Sequence, residues 1–126
     1  MERHNFPGTS PFENVMGYCR VVVVGKHVWV AGTAPIPADG SPPPAGAYEQ
    51  TKLCLELIAT ALGRAGARVE DVVRTRIYIT DQAHFHDVAR AHGEVFEPTR
   101  PVNTTVFAQL FDPAWKVEID VDAVLS

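Results

Sequence analysis

The chain has 126 residues, 46% of them apolar and 21% charged. That mix suits one domain with one core over residues 1–126 and excludes a disordered polymer. A formal net charge of −4 argues against nucleic acid as a general partner, which would need clustered positive charge.

Residues 1–17 show no periodicity and contain Pro7, Gly8 and Pro11, which predicts a surface arm. The opening "MERHNFPGTS" has no apolar signal core, and the apolar run "VVVVG" is far too short to cross a bilayer. A cytoplasmic chain with no membrane partner is expected. Two β-rich runs follow, Tyr18–Val24 and His27–Thr33. They are separated by Gly25-Lys26, and glycine first in a two-residue loop fits a tight hairpin.

"APIPADGSPPPAG" carries five prolines in thirteen residues. This density excludes a helix or central strand and predicts a rigid loop over 34–46, long enough to cover something. In "AYEQTKLCLELIATALGRAG", residues Cys54, Ile58, Ala61, Leu62 and Ala65 fall on one helical stripe, and Gly66 suits the stop. "VVRTRIYIT" alternates, with Val73, Thr75, Ile77 and Ile79 on one side and Arg74, Arg76, Tyr78 and Thr80 on the other. Asp81 suits the N-cap of a second helix whose apolar stripe is Phe85, Val88, His92 and Val95. Strands near Asn103–Gln109 and Lys116–Val124 close the chain, joined by a turn around Asp112-Pro113.

The order ββαβαββ predicts an α+β two-layer domain with two helices on one face of a mixed sheet. The helices take Val117, Ile119, Val121 and Ala123. The other face then carries Glu118, Asp120, Asp122, Arg74, Arg76, Tyr78 and Arg20. A charge row is ordinarily a solvated surface. Val22, Val24 and Trp29 on the same face point instead to an oligomer interface with internal ion pairs. Carboxylates two residues apart repel unless cations sit opposite, and Arg74 and Arg76 have the matching spacing.

Cys19 and Cys54 form no CxxC pair and read as reduced thiols in or near the core. His84 and His86 in "HFH" diverge by ~200° on a helix, so no metal site is expected. His92 reads as a satisfied core histidine. No Ser-His-Asp arrangement, phosphate loop or nucleotide fingerprint is visible.

Four segments in order, "GYCRVVVVGKHVWVAGT", "VEDVVRTRIYIT", "HGEVFE" before "RPVNTTV", and the terminal "KVEIDVDAV", resemble the RidA/YjgF family of reactive-intermediate deaminases, also called the L-PSP endoribonuclease or translation-inhibitor family. The resemblance runs from about residue 17 to the C-terminus. It implies a chorismate-mutase-like fold and a homotrimer with its sheets turned inward. It also implies three clefts between neighbouring subunits, where enamines and imines are hydrolysed to keto acids and ammonia without metal or organic cofactor. Residue by residue, the family tyrosine matches Tyr18, the glycine ending the second strand matches Gly32, and the last-strand glutamate matches Glu118. The family's carboxylate-holding arginine lies in a Pro-Ala-Arg-Ser/Thr stretch. Here that stretch is Pro101-Val102-Asn103-Thr104, and Asn103 replaces the arginine.

A guanidinium grips a carboxylate with two charged hydrogen bonds, whereas an asparagine amide offers a neutral donor and acceptor. Either the substrate lacks the carboxylate, or another cation holds it, or catalysis is gone. Arg100, at an odd offset from Asn103 on an extended strand, would point to the opposite side. Arg20, two residues after Tyr18, is the candidate site cation, its alternative being an ion pair with an inward carboxylate. Glu118 reads either as the group that orients the attacking water and moves its proton or as a structural partner of an arginine. Tyr18 either donates to the substrate or caps the sheet edge. Thr104 and Thr105 are ordinary strand residues first, whose hydroxyls or backbone can still bind ligand. Three functions follow: a hydrolase of a small C=N compound, a non-catalytic metabolite-binding trimer, or a ribonuclease. The acidic charge and the absence of a basic-aromatic strip weigh against the last.

Overall fold

The computed structural model describes residues 1–126. Its elements are β1 (Arg3–Phe6), α1 (Phe12–Met16), β2 (Val21–Val24), β3 (His27–Thr33), α2 (Ala47–Arg64), β4 (Val72–Ile79), α3 (Phe85–Phe96), β5 (Val102–Phe107) and β6 (Val117–Val124). Six strands form one mixed sheet in the order β1-β2-β3-β6-β4-β5. Only β4 and β5 run parallel. The chain gets from one to the other through α3, the crossover that a parallel pair requires.

The predicted α+β layering is present. Along β6, Val117, Ile119, Val121 and Ala123 are buried while Glu118, Asp120 and Asp122 are half-buried. The buried stripe of α2 includes Cys54, Leu55, Ile58, Ala61 and Leu62. Together with Val21, Val28, Val30, Ile77, Ile79 and Val88 these side chains form one core cluster. Each fully buried aliphatic side chain contributes about 1.5–3 kcal/mol. On α3 the covered residues are Val88, Ala91 and Phe96. Phe85, predicted inward, is 41% exposed because it starts the helix, beyond the edge of the core.

The arm is structured where the sequence predicted none. β1 pairs antiparallel with β2, Arg3 opposite Val24 and Phe6 opposite Val21. It thereby covers an edge that would otherwise present unpaired backbone groups. Phe6 packs against the core, with the Arg64 guanidinium 5.7 Å from its ring centroid. Buried Glu13 of α1 accepts bonds from the Gly8 N–H at 2.9 and 3.0 Å, fastening the arm. Four residues without alternation carry too weak a pattern to announce a strand.

The hairpin turn falls at Gly25-Lys26, and Gly25 has φ 60°, the left-handed region that glycine enters without a Cβ clash. β2 is shorter than predicted and starts at Val21. Tyr18 instead follows the end of α1 and donates its backbone N–H to the carbonyl of Glu13 in that helix, 3.0 Å. Asp81 caps the turn leading into α3 by accepting from the Ala83 N–H at 2.8 Å. The register of β4 against β6 slips between Val72 and Arg74, leaving Val73 as an extra, 46% exposed residue. Val73, predicted on the side of Thr75, Ile77 and Ile79, is thus turned out and Val72 is buried in its place, since a bulge shifts the alternation by one.

The proline loop is irregular and fastened at its end. Gln50 is 1% exposed and its Nε2 donates to the Pro44 carbonyl at 2.8 Å and the Ala114 carbonyl at 3.0 Å. Its Oε1 accepts from the Lys116 N–H at 2.7 Å, and the Lys116 ammonium also donates to the Ala45 carbonyl. Gln50→Leu strands three backbone groups at once. An unpaired buried group costs about 1–3 kcal/mol, so the loss should be about 3 kcal/mol, part of it relieved by water. Urea unfolding at fixed protein concentration checks this: the midpoint should fall with the slope unchanged.

Candidate functional site

The predicted site residues fall into two groups on different surfaces of the chain. The first lies where β3 meets β6. Val30 faces Val121 but Thr33 faces Ile119, so β3 carries one extra residue there, a bulge around Ala31 and Gly32. Bulges re-aim backbone and side chains, and here the carbonyls turn toward Arg20. The Arg20 Nη1 donates to the Gly32 carbonyl at 2.7 Å, to the Ala31 carbonyl at 3.3 Å and to the Thr33 hydroxyl at 3.3 Å. Arg20 is thus a clamp on the bulge.

Glu118 lies against that bulge. A Cβ added at Gly32 would sit 2.3 Å from Glu118 Oε2, so glycine is what lets the carboxylate approach the backbone. Burial pushes the Glu118 carboxyl above its usual range, the Arg20 charge opposes this and the Asp120 charge adds to it. The other carboxylates of the row are partnered as the spacing predicted. Arg76 Nη1 reaches Asp120 Oδ1 at 2.9 Å and Asp122 Oδ1 at 3.5 Å, Arg74 Nε lies 3.9 Å from Asp122, and the Tyr78 hydroxyl donates to Asp120 Oδ2 at 2.9 Å. Glu118, opposite Tyr78 in register, takes part in none of these pairs. Among the three carboxylates it is the one without an ion-pair or hydrogen-bond partner.

Tyr18 sits beside the arm, donating its hydroxyl to Ser10 Oγ at 3.3 Å. It lines a shallow cavity of about 440 Å³ with Arg3, Asn5, Glu13 and Cys19. No hydrogen bond joins Tyr18 to Glu118.

The second group lies on β5, at the far edge of the sheet. Asn103 is in register with Thr75, whose side chain is fully buried toward the helices. Asn103 therefore projects on the helix side of the sheet, whereas Glu118 alternates to the other side. Thr104, paired with Arg76, points away from Asn103 by strand alternation. Thr105 stands beside it instead: its hydroxyl donates to Asn103 Oδ1 at 2.8 Å. Arg100 turns back to Glu97, 3.0 Å, and reaches neither group.

Sequence reasoning missed what stands behind Asn103. Its Nδ2 donates to the Thr75 hydroxyl at 3.0 Å and the Thr75 carbonyl at 3.4 Å. The Thr75 hydroxyl in turn lies 2.9 Å from His92 Nε2 on α3. Burial lowers the His92 pKa, which favours the neutral ring. The predicted satisfied core histidine is present, and its partner ties it to Asn103. The available signal was the pairing of a polar Thr75 with His92 on two otherwise apolar inward stripes.

Elsewhere, Cys54 is buried and its thiol pKa is pushed up by that burial, so it is an unreactive core thiol. No group of three or more His, Cys, Asp or Glu residues is placed to hold a metal ion. No helix is long and apolar enough to cross a membrane.

This six-stranded mixed sheet with its helices on one face is an α+β fold shared with solved structures. The endoribonuclease L-PSP family model matches residues 9–125. An uncharacterized protein of Streptomyces coelicolor is 36% identical over 115 residues, 90% of this chain and 86% of the relative. The crystal structure of Rv2704 from Mycobacterium tuberculosis, a member of the YjgF/YER057c/UK114 family, superposes with a TM-score of 0.88 at 38% identity, over 98% of this chain and 100% of that one. TdcF of Escherichia coli, crystallised with bound serine, shares the fold with a TM-score of 0.82 at 24% identity, over 95% and 92% of the two chains. The chain belongs to the RidA/YjgF family.

Proposed function

We propose that the chain forms a homotrimer with its open sheet faces turned inward, and that it hydrolyses a small enamine, imine or related C=N metabolite in clefts between neighbouring copies. The observation that carries this reading is the separation of the two groups. Glu118, Gly32, Arg20 and Tyr18 lie on one surface of the chain and Asn103 on another, so a pocket using both needs a second copy. The open face supports the assembly: Trp29, Val102, Val106 and Val124 are exposed on it around charges that are already paired. TdcF with its bound serine supports a small-molecule ligand.

In the proposed reaction, water adds to the C=N carbon while the Glu118 carboxylate takes one of its protons. The same proton then passes to the nitrogen of the tetrahedral adduct. Glu118 next carries the hydroxyl proton of that adduct to the nitrogen as the C–N bond breaks, so ammonia leaves with its three hydrogens, a carbonyl remains and the carboxylate is restored. A carboxyl with a raised pKa suits both transfers. Gly32 lets the carboxylate reach the cleft, Arg20 holds the bulge in place, and Tyr18 borders the pocket. No metal or organic cofactor is invoked. The reaction belongs in the cytoplasm, with no membrane or nucleic-acid partner.

Ammonia release from freshly generated imines tests the reading. The wild-type chain should exceed buffer on part of a broad imine panel, and Asn103→Arg should move its preference toward imines bearing an α-carboxylate. If neither protein exceeds buffer on any imine, the hydrolase reading fails. The replacement of the arginine by Asn103 favours one second reading, a trimer that binds a metabolite without turning it over. A compound that raises the melting temperature and is recovered unchanged would support it.

A further inference from the structure

The amide of Asn103 has a fixed orientation. If its two ends were exchanged, Oδ1 would face the Thr75 carbonyl 3.4 Å away, two acceptors with no hydrogen between them. Nδ2 therefore points inward, and its hydrogens are taken by the Thr75 carbonyl and hydroxyl. The Thr75 hydroxyl can accept that bond and still has one proton to give. Thr75 is 0% exposed, so an ungiven proton would be a buried unsatisfied donor. His92 Nε2, 2.9 Å away, is the acceptor for it. The ring of His92 is held against Phe96, centroids 4.7 Å apart, so the relay ends on an anchored group.

The outward side of the same pair is complementary. Thr105 spends its proton on Asn103 Oδ1 at 2.8 Å. What remains for a ligand is the second lone pair of Oδ1 and the lone pairs of the Thr105 oxygen, all acceptors. A carboxylate brought there would meet only acceptors, where the family arginine would have met it with donors.

We propose that Asn103 and Thr105 form an acceptor-only subsite that receives an uncharged N–H or O–H donor, a primary carboxamide above all, in place of a substrate carboxylate, and that Thr75 and His92 are the positioning residues that keep it so. The proposal rests on the reading above, that Asn103 borders the ligand cleft.

The test compares two probes of the same shape, 2-oxobutanamide and 2-oxobutanoate, by calorimetric titration. The wild-type chain should bind the amide at least about tenfold more tightly, the difference made by one good hydrogen bond. Thr75→Ser keeps the hydroxyl and should keep this preference. Thr75→Val removes the shorter of the two bonds that hold the amide, leaving only the 3.4 Å contact to the backbone carbonyl, and should reduce the preference to about threefold or less. Asn103→Arg should reverse it. Preference of the wild-type chain for the acid, binding of neither probe, or an unchanged preference in Thr75→Val overturns the proposal. Should Thr75→Val fail to fold, nitrogen-15 spectra of the wild-type chain decide: His92 Nε2 should be the unprotonated ring nitrogen at neutral pH, and finding it protonated sinks the relay. Turnover enters none of these readings. Amide preference without ammonia release ends the hydrolase reading and leaves the subsite; ammonia release with acid preference does the reverse.

Discussion

Glu118→Gln should lower the rate of imine hydrolysis by about 10²–10⁴, the usual contribution of a positioned general acid–base, without weakening the fold. Glutamine keeps the shape and the half-buried position but cannot accept a proton. The stability effect has the opposite sign to the activity effect. Burial raises the folded-state pKa of Glu118 above its unfolded value. Its favourable contribution is therefore complete below the unfolded pKa and is lost as pH rises through the folded one. At neutral pH the ionised carboxylate is a burden on the fold, so the glutamine variant should melt at the same temperature or higher, and the difference should vanish in acid. The wild-type rate should rise with pH as Glu118 ionises, whereas the residual rate of the variant should lack that step. Gly32→Ala should give a milder form of the same loss. The added methyl meets the mobile end of the Glu118 side chain, 2.3 Å from Oε2, so the carboxylate shifts and the backbone does not. A glutamine variant with full activity would remove Glu118 from the chemistry.

Trp29→Asp should turn the proposed trimer into folded monomers and abolish the proposed hydrolysis together. Trp29 is 41% exposed, stacks on His27 at 5.7 Å and stands in register with Asp122. It lies outside the buried core, so the single chain should stay folded. An aromatic anchor of an interface contributes about 2 kcal/mol or more, and burying an unpaired carboxylate in its place at the seam is unfavourable. Sedimentation should show monomers at micromolar concentration while the circular dichroism spectrum is retained. A variant that remains assembled shows that the sheet face is not the contact surface. A fully active monomer shows that one chain holds the whole site.

The two predictions depend on features that differed in how far they could be read in advance. The alternation "KVEIDVDAV" revealed which side of β6 is buried, and the two-residue spacing of Arg74 and Arg76 foretold their pairing with Asp120 and Asp122. The role of Gln50 could not be foreseen, because its partners Pro44, Ala114 and Lys116 lie on a loop and a turn whose meeting is a tertiary event. The arm carries no strand signal in the sequence because β1 is stabilised by the β2 edge and by packing of Phe6, neither of which is local. The bulges at Val73 and Gly32 were invisible for a related reason: an extra residue is defined only against a partner strand.

By itself the sequence determined the layers, the helix stripes and the polarity of each strand face, since periods of 3.6 and 2 residues state which side must leave water. It also placed Asn103 where the family resemblance implies an arginine. Only the tertiary structure decided that β6 enters between β3 and β4, that Glu118 comes to rest against Gly32, and that Asn103 faces Thr75 and His92 on the other side of the sheet. Periodicity records burial along one segment, whereas strand order and register are set by long-range packing of several segments at once.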